Sequence, residues 1–235
     1  MGVVMAKDNT PRISVNKLAE YIVSKGGRQR QILRDQKFPT DYKGSYYRES
    51  EEAISACLKD NLEDLSHLDR AWQILNQSES DKIGTQRRMN SNMDAIESFE
   101  AMLDQIDFMG ATLSLGSHAP QKLKIHNVAV SVRPEVILRG NGKSGKKLVG
   151  GLKLHFPKTF SLSEDAAGYV SAILQEYFRT CFAAEGEAYG PYCFVLDVGS
   201  KKVHPGVKST TARMKDVAAE CQNIAALWPS ITPAD

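Results

Sequence analysis

Apolar residues along this chain recur first at helical spacing and then at strand spacing. Ile13, Leu18, Tyr21 and Ile22 share one helical face between Ile13 and Ser24, with Ser14 as a cap and Gly26-Gly27 as a stop. The polar stretch from Arg28 to Lys37 reads as a short helix or turn that halts before Pro39. From Tyr46 the pattern is helical again, through Ile54, Cys57 and Leu58, then Leu65, Leu68, Trp72 and Leu75. After a polar loop from Gln77 to Thr85, Met93, Ile96, Phe99, Leu103 and Ile106 predict one long amphipathic helix. The period then shortens to two. Ala111 to Leu115 reads as a first strand, and Val128, Val130 and Val132 alternate with Ala129, Ser131 and Arg133. Leu148, Val149, Leu152, Leu154 and Phe156 continue that signal after a turn-rich loop, which predicts a β-hairpin spanning Lys122 to Lys158. Ser163 then caps a helix through Val170, Ile173, Leu174, Tyr177 and Phe178, with Glu164 and Asp165 in its first turn. Tyr192 to Val198 is a strand between Gly190-Pro191 and Gly199. A last helix, Thr210 to Leu227, carries Met214, Val217, Cys221 and Ile224 and stops at Pro229.

This order predicts a single α/β domain over residues 1–235. Residues 1–110 form a helical N-terminal portion, and residues 111–235 form the core that holds the sheet. At 235 residues the chain is long enough for one sizeable core, and no internal repeat or linker divides it. No apolar run approaches membrane-spanning length, and the opening Met-Gly-Val-Val-Met-Ala-Lys is too short for a secretory signal. The expectation is a cytoplasmic protein with no membrane partner. The four cysteines, Cys57, Cys181, Cys193 and Cys221, form no CxxC pair and lie in apolar-periodic segments. They read as buried reduced thiols rather than as ligands of an iron–sulfur cluster.

Charge changes the picture, because the net +2 conceals four blocks. Residues 1–48 carry ten Lys and Arg against four Asp and Glu, and residues 49–110 carry five against fourteen. Residues 111–160 carry nine against the single acid Glu135, and residues 161–235 carry six against nine. A basic hairpin beside a basic N-terminus suits a phosphate backbone, with Arg28, Arg30, Arg34, Lys143, Lys146 and Lys147 as candidate contacts. A solvated lysine-rich loop accounts for the same composition. The acidic helical block offers a surface for a basic protein partner.

Two motifs invite chemistry. Gly140-Asn-Gly-Lys-Ser-Gly-Lys-Lys comes close to a phosphate-binding P-loop. Lys147 stands where the magnesium-binding hydroxyl belongs, however, and a strand rather than a helix follows. The second motif is Pro134-Glu135 on one strand with Lys153 on the next. A carboxylate and a lysine placed so are costly if buried, which places them at the sheet surface, outside the core. His126 and His155 read as exposed strand residues, and Tyr169 as core.

The order of parts resembles the RecB-like branch of the PD-(D/E)XK nuclease superfamily. A helix with a basic turn, a helix carrying Glu49, a Pro-Glu and Lys hairpin, then helix, strand and helix follow one another across residues 12–228. The resemblance implies a restriction-endonuclease-like fold, a central mixed β-sheet flanked by helices. It also implies a magnesium-dependent phosphodiesterase in which Glu135 matches the first metal-binding acid and Lys153 the water-orienting lysine. Glu49 falls near the family's upstream acid, and Asp165-Ala-Ala-Gly-Tyr169 is similar to its downstream helical motif. One position departs: Gly151 occupies the acidic place two residues before Lys153. Clustered carboxylates are what hold a hard divalent cation, so Mg2+ binding would need Glu164 or Asp165 to supply the missing ligand beside Glu135. The resemblance therefore implies either a nuclease of this kind, or a descendant that retains DNA contact. The alternative is a catalytically inactive interaction subunit, in a phage-defence or mobile-element setting.

Overall fold

A computed structural model describes residues 10–39, 46–143 and 145–233. The opening segment read above for a signal, and Ser144 of the P-loop-like motif, lie outside these residues. Strand β1 (Arg12–Ser14) leads into helix α1 (Val15–Val23), and α2 (Gly26–Lys37), α3 (Arg48–Lys59), α4 (Ser66–Gln77) and α5 (Ile83–Glu100) follow. Strands β2 (Thr112–Leu115), β3 (Leu123–Ile125), β4 (Val128–Ser131), β5 (Val136–Asn141) and β6 (Lys147–His155) come next. Helix α6 (Glu164–Cys181), β7 (Glu187–Asp197), β8 (Lys202–His204) and α7 (Thr211–Leu227) complete the chain.

The architecture is α/β. Five strands in the order β2-β5-β6-β7-β8 form a mixed sheet, with β6 and β7 parallel and the other neighbours antiparallel. Alternation along β5 and β6, and along β7 from Tyr192 past a shift in register, sends side chains to two separate cores. Ile137, Val149, Cys193 and Val195 face α1, α2, α6 and α7. Val136, Leu138, Leu152, Leu154, Phe194 and Leu196 face α3, α4 and α5. The N-terminal portion is not set apart, since β1 pairs in parallel with β4 and α1 packs on α6.

The basic hairpin is β5–β6, but the run expected to form its first strand divides, and the alternating valines leave it. Residues 123–131 turn away into a second sheet of order β1-β4-β3, closed at His126 and Asn127. Both of these residues have positive φ, as a two-residue hairpin turn requires. Pro134, which has no N–H to donate, stands in the break between β4 and β5. The long amphipathic helix predicted to reach Ile106 instead ends at Glu100, followed by a separate 3-10 turn at Leu103–Gln105. Its start, Ile83, lies inside the stretch expected to be loop.

Candidate functional site

Strand register creates the centre of the site. Val136 pairs with Leu152 and Ile137 with Gly151. One step further, Glu135 therefore stands opposite Lys153 on the same face of the sheet, where a cross-strand pair is close enough to interact. The Lys153 ammonium donates to Glu135 Oε1 and to the Arg133 carbonyl, the latter at 2.8 Å. The Leu154 amide donates to Glu135 Oε2 at 2.7 Å. Both carboxylate oxygens are thus engaged. The side chains are 3% and 12% exposed for Glu135 and Lys153, so the carboxylate is buried and the lysine largely so, at the floor of a cavity rather than on the open sheet surface that the sequence led us to expect. Burying a charge is tolerable only when it is paired and hydrogen-bonded, and here it is.

Above this pair lies a cavity of about 350 Å³. The N-terminal turns of two helices open onto it, bringing Ser14, Asn16 and Lys17 from α1, and Arg48 and Glu51 from α3. Ser14 caps α1 by accepting the Lys17 amide. An aromatic wall of Tyr46, Tyr47 and Phe156 closes one side, with Tyr47 and Phe156 stacked at 5.0 Å and Tyr46 edge-on to Tyr47. Asn92 of α5, fully buried, fixes that wall. Its amide donates to the Tyr46 carbonyl at 2.7 Å, and its oxygen accepts from the Ser50 amide and hydroxyl at 3.0 and 2.9 Å.

Every cation on the cavity has a carboxylate partner. Lys17 pairs with buried Glu20 at 2.6 Å, Arg48 with Glu52 at 2.8 Å, Arg133 with Glu51, and Lys153 with Glu135. Two acceptors do lack a protein partner, Asn16 Oδ1 and His155 Nδ1. His155, expected to be exposed, is buried. Burial holds its imidazole below the ordinary histidine range, against opposing contributions from the Phe160 carbonyl and Asp197. A neutral ring donating from Nε2 to the Phe160 carbonyl at 2.7 Å leaves Nδ1 as an acceptor.

The other expected site residues are dispersed. Glu49 points to Arg88 and does not line the cavity; its neighbour Glu51, two positions on, does. Glu164 lines a different cavity, beside His204 and Lys202. Asp165 is 81% exposed, 3.8 Å from Arg213. Neither acid lines the cavity over Glu135 and Lys153. Tyr169 is only half-buried and donates to Asp216, with its hydroxyl pushed up to about 12 chiefly by burial. Arg28 is engaged by Glu20, Arg34 by the Thr232 carbonyl and Lys146 by Glu187, while Arg30, Lys143 and Lys147 are exposed. The loop bearing Lys143, Lys146 and Lys147 lies at the far end of β5 and β6. Six strand residues at about 3.3 Å each put it roughly 20 Å from the Glu135–Lys153 pair.

Magnesium coordination fits this donor set poorly. The one carboxylate at the centre is spent on an ammonium and an amide, and Glu51 is held by Arg133. Among the described residues, no three His, Cys, Asp or Glu side chains gather as a metal ion needs. Cys57 lies in the core on the opposite face of the sheet from Cys193 and Cys221. No described helix is long and apolar enough to cross a membrane. The strand that follows the P-loop-like sequence begins at Lys147, so no helix N-terminus stands behind it.

Sequence reasoning missed Asn16, Lys17, Glu51 and Arg133. Their signals are faint: Asn16 and Lys17 lie in the first turn after the Ser14 cap, Glu51 in the first turn of α3 and Arg133 just before Pro134, and only tertiary packing collects them. Protein-family models give no match to the chain, and no curated protein matches it.

Proposed function

We propose that this protein binds a nucleic-acid backbone, DNA in the first instance, in the cleft above Glu135 and Lys153, on a restriction-endonuclease-like core that no longer cuts. The observation that carries this reading is convergence. Four cationic side chains and the N-terminal turns of α1 and α3 meet at one cavity. Helix N-termini and fixed cations both favour phosphate. The cross-strand Glu135 and Lys153, with Gly151 in the acidic place between them, supports descent from a metal-dependent phosphodiesterase. The dispersal of Glu49, Glu164 and Asp165 supports loss of cleavage in that descent. Because each cation already has a carboxylate partner, a phosphate must compete for it. Binding is therefore weak and strongly salt-dependent.

The test is fluorescence anisotropy with labelled oligonucleotides over a salt series, followed by incubation with Mg2+ and Mn2+. Wild type binds, and Arg133→Ala binds more weakly with a shallower salt slope, by about 0.7 to 0.9 per lost contact. If Lys143, Lys146 and Lys147→Glu removes binding and Arg133→Ala does not, the contact surface is the hairpin loop and the cleft reading fails. Cleavage by wild type that Glu135→Ala abolishes identifies an active phosphodiesterase instead.

A further inference from the structure

A second cavity, of about 170 Å³, adjoins the first. Glu51, Arg133 and Glu135 line both, so the Arg133–Glu51 ion pair stands between them. Its side chains are 39% and 28% exposed, respectively, which leaves both within reach of solvent ions. The larger cavity carries the aromatic wall, and two of its lining residues hold a buried acceptor without a protein partner, Asn16 Oδ1 and His155 Nδ1. Such acceptors call for a donor, which the edge of a nucleobase carries and a phosphate does not. A stacked duplex offers neither a base edge at this depth nor a free ring face. An unstacked strand offers both, and aromatic side chains are the usual platform for it.

Building on the proposed nucleic-acid reading, we propose that the cleft accepts single strands. One base lodges against Tyr46, Tyr47 and Phe156, and the adjoining phosphate takes Arg133 away from Glu51. The carboxylate of Glu51 is then a built-in competitor. It occupies the phosphate's place in the empty protein and separates the two cavities. Exchange of partners joins the cavities into one groove, along which the strand continues past Gly116 to His118.

The exchange makes an uncommon demand, that removing a charged residue of the site should strengthen binding. Anisotropy with a labelled mixed-sequence single strand, and with the same strand annealed to its complement, tests it on the full chain. Wild type prefers the single strand by about tenfold or more, the scale of one base stacked on an aromatic side chain. Glu51→Gln, which keeps the shape and removes the competing charge, tightens single-strand binding about threefold. The salt slope steepens by about 0.7, because the strand no longer frees a Glu51 carboxylate that takes up a counterion as it binds. Tyr47→Ala weakens single-strand binding while duplex binding stays unchanged. A duplex preference, or Glu51→Gln binding no tighter than wild type, overturns the exchange and leaves the broader nucleic-acid reading standing. Absence of binding to either ligand overturns both.

Discussion

The ring of Phe178 fills the space that a side chain at Gly151 would need. A Cβ built at Gly151 meets Phe178 Cζ at 2.6 Å and Cε2 at 2.8 Å, with Pro134 Cβ at 3.0 Å. Phe178 is fully buried in the core formed by α1, α6 and the sheet, so the ring cannot swing aside into solvent. On the other face, a Cβ at the neighbouring Gly150 meets Tyr192 Cβ at 2.4 Å. The two glycines are therefore fixed by packing on both sides of β6, and the core leaves no room for a side chain at position 151.

An acid at this position should consequently be poorly tolerated. Gly151→Asp is expected to destabilise the fold by about 3 kcal/mol or more, from overpacking together with a buried unpaired carboxylate. Chemical denaturation followed by circular dichroism measures this. Gly151→Asp combined with Phe178→Leu should recover part of the loss, whereas equal stability of the single variant and wild type would show that the ring yields freely.

The elements around this strand were legible because burial imposes a period. The helix from Ser163 follows from spacing alone, and Ser163 does cap α6 by accepting the Ala166 amide. The strand over Tyr192 and the hairpin follow in part: β7 starts at Glu187 and runs through the Gly190-Pro191 expected to bound it, and β6 pairs with Val136–Asn141 rather than with the alternating valines of β4. Three-residue strands such as β1 and β8 leave too few positions for a period to register. The site was half legible. Pro134-Glu135 and Lys153 stand out as charges within apolar runs, and register alone brings them together. What composition could not reveal is that so many basic residues have acidic partners distant in sequence, such as Arg133 with Glu51 and Lys146 with Glu187. His155 shares the face of Lys153, opposite Leu154 and Phe156, so alternation reads it as exposed; it is buried because helices cover both faces of the sheet.

Breaking the central pair one partner at a time should be costly, although the sequence reads both residues as lying outside the core. Lys153→Met leaves the Glu135 carboxylate buried with only the Leu154 amide for compensation, a situation that costs about 3 to 5 kcal/mol. Lys153→Met with Glu135→Gln removes both charges and should regain most of that loss. A double-mutant cycle on urea unfolding yields the coupling. A cycle that closes near zero would mean the two groups do not interact in solution.

Thiol chemistry offers a direct view of packing. Burial pushes the Cys57 thiol up to about 11 and those of Cys193 and Cys221 up to about 12. Since the thiolate is the nucleophile, all three should resist a disulfide reagent at pH 8 until the protein unfolds. Cys181, only partly buried, should react first. Mass spectrometry of the native protein after brief labelling locates the modified residue. Rapid labelling of Cys193 would be incompatible with its place between β7 and α6.

Acid should destabilise the protein through its buried imidazoles. Burial lowers the affinity of His155 and His204 for a proton in the folded state, so each is neutral there. In the unfolded chain both titrate near the ordinary value of about 6.5. Below that pH the unfolded state binds more protons than the folded one. The stability these groups contribute is thus present above about pH 6.5 and is lost as pH falls toward their depressed folded values. Each group that is neutral when folded and charged when unfolded steepens the decline by up to about 1.4 kcal/mol per pH unit. The melting temperature should accordingly fall between pH 7 and pH 5, and His155→Phe should flatten that fall by removing one titrating group while filling its space. Asp197 and Glu20 act against the effect at His155 and Lys17 acts with it, so burial must outweigh the two carboxylates for the decline to occur. A melting temperature that holds constant or rises on acidification would mean that the carboxylates dominate and that His155 is protonated in the fold.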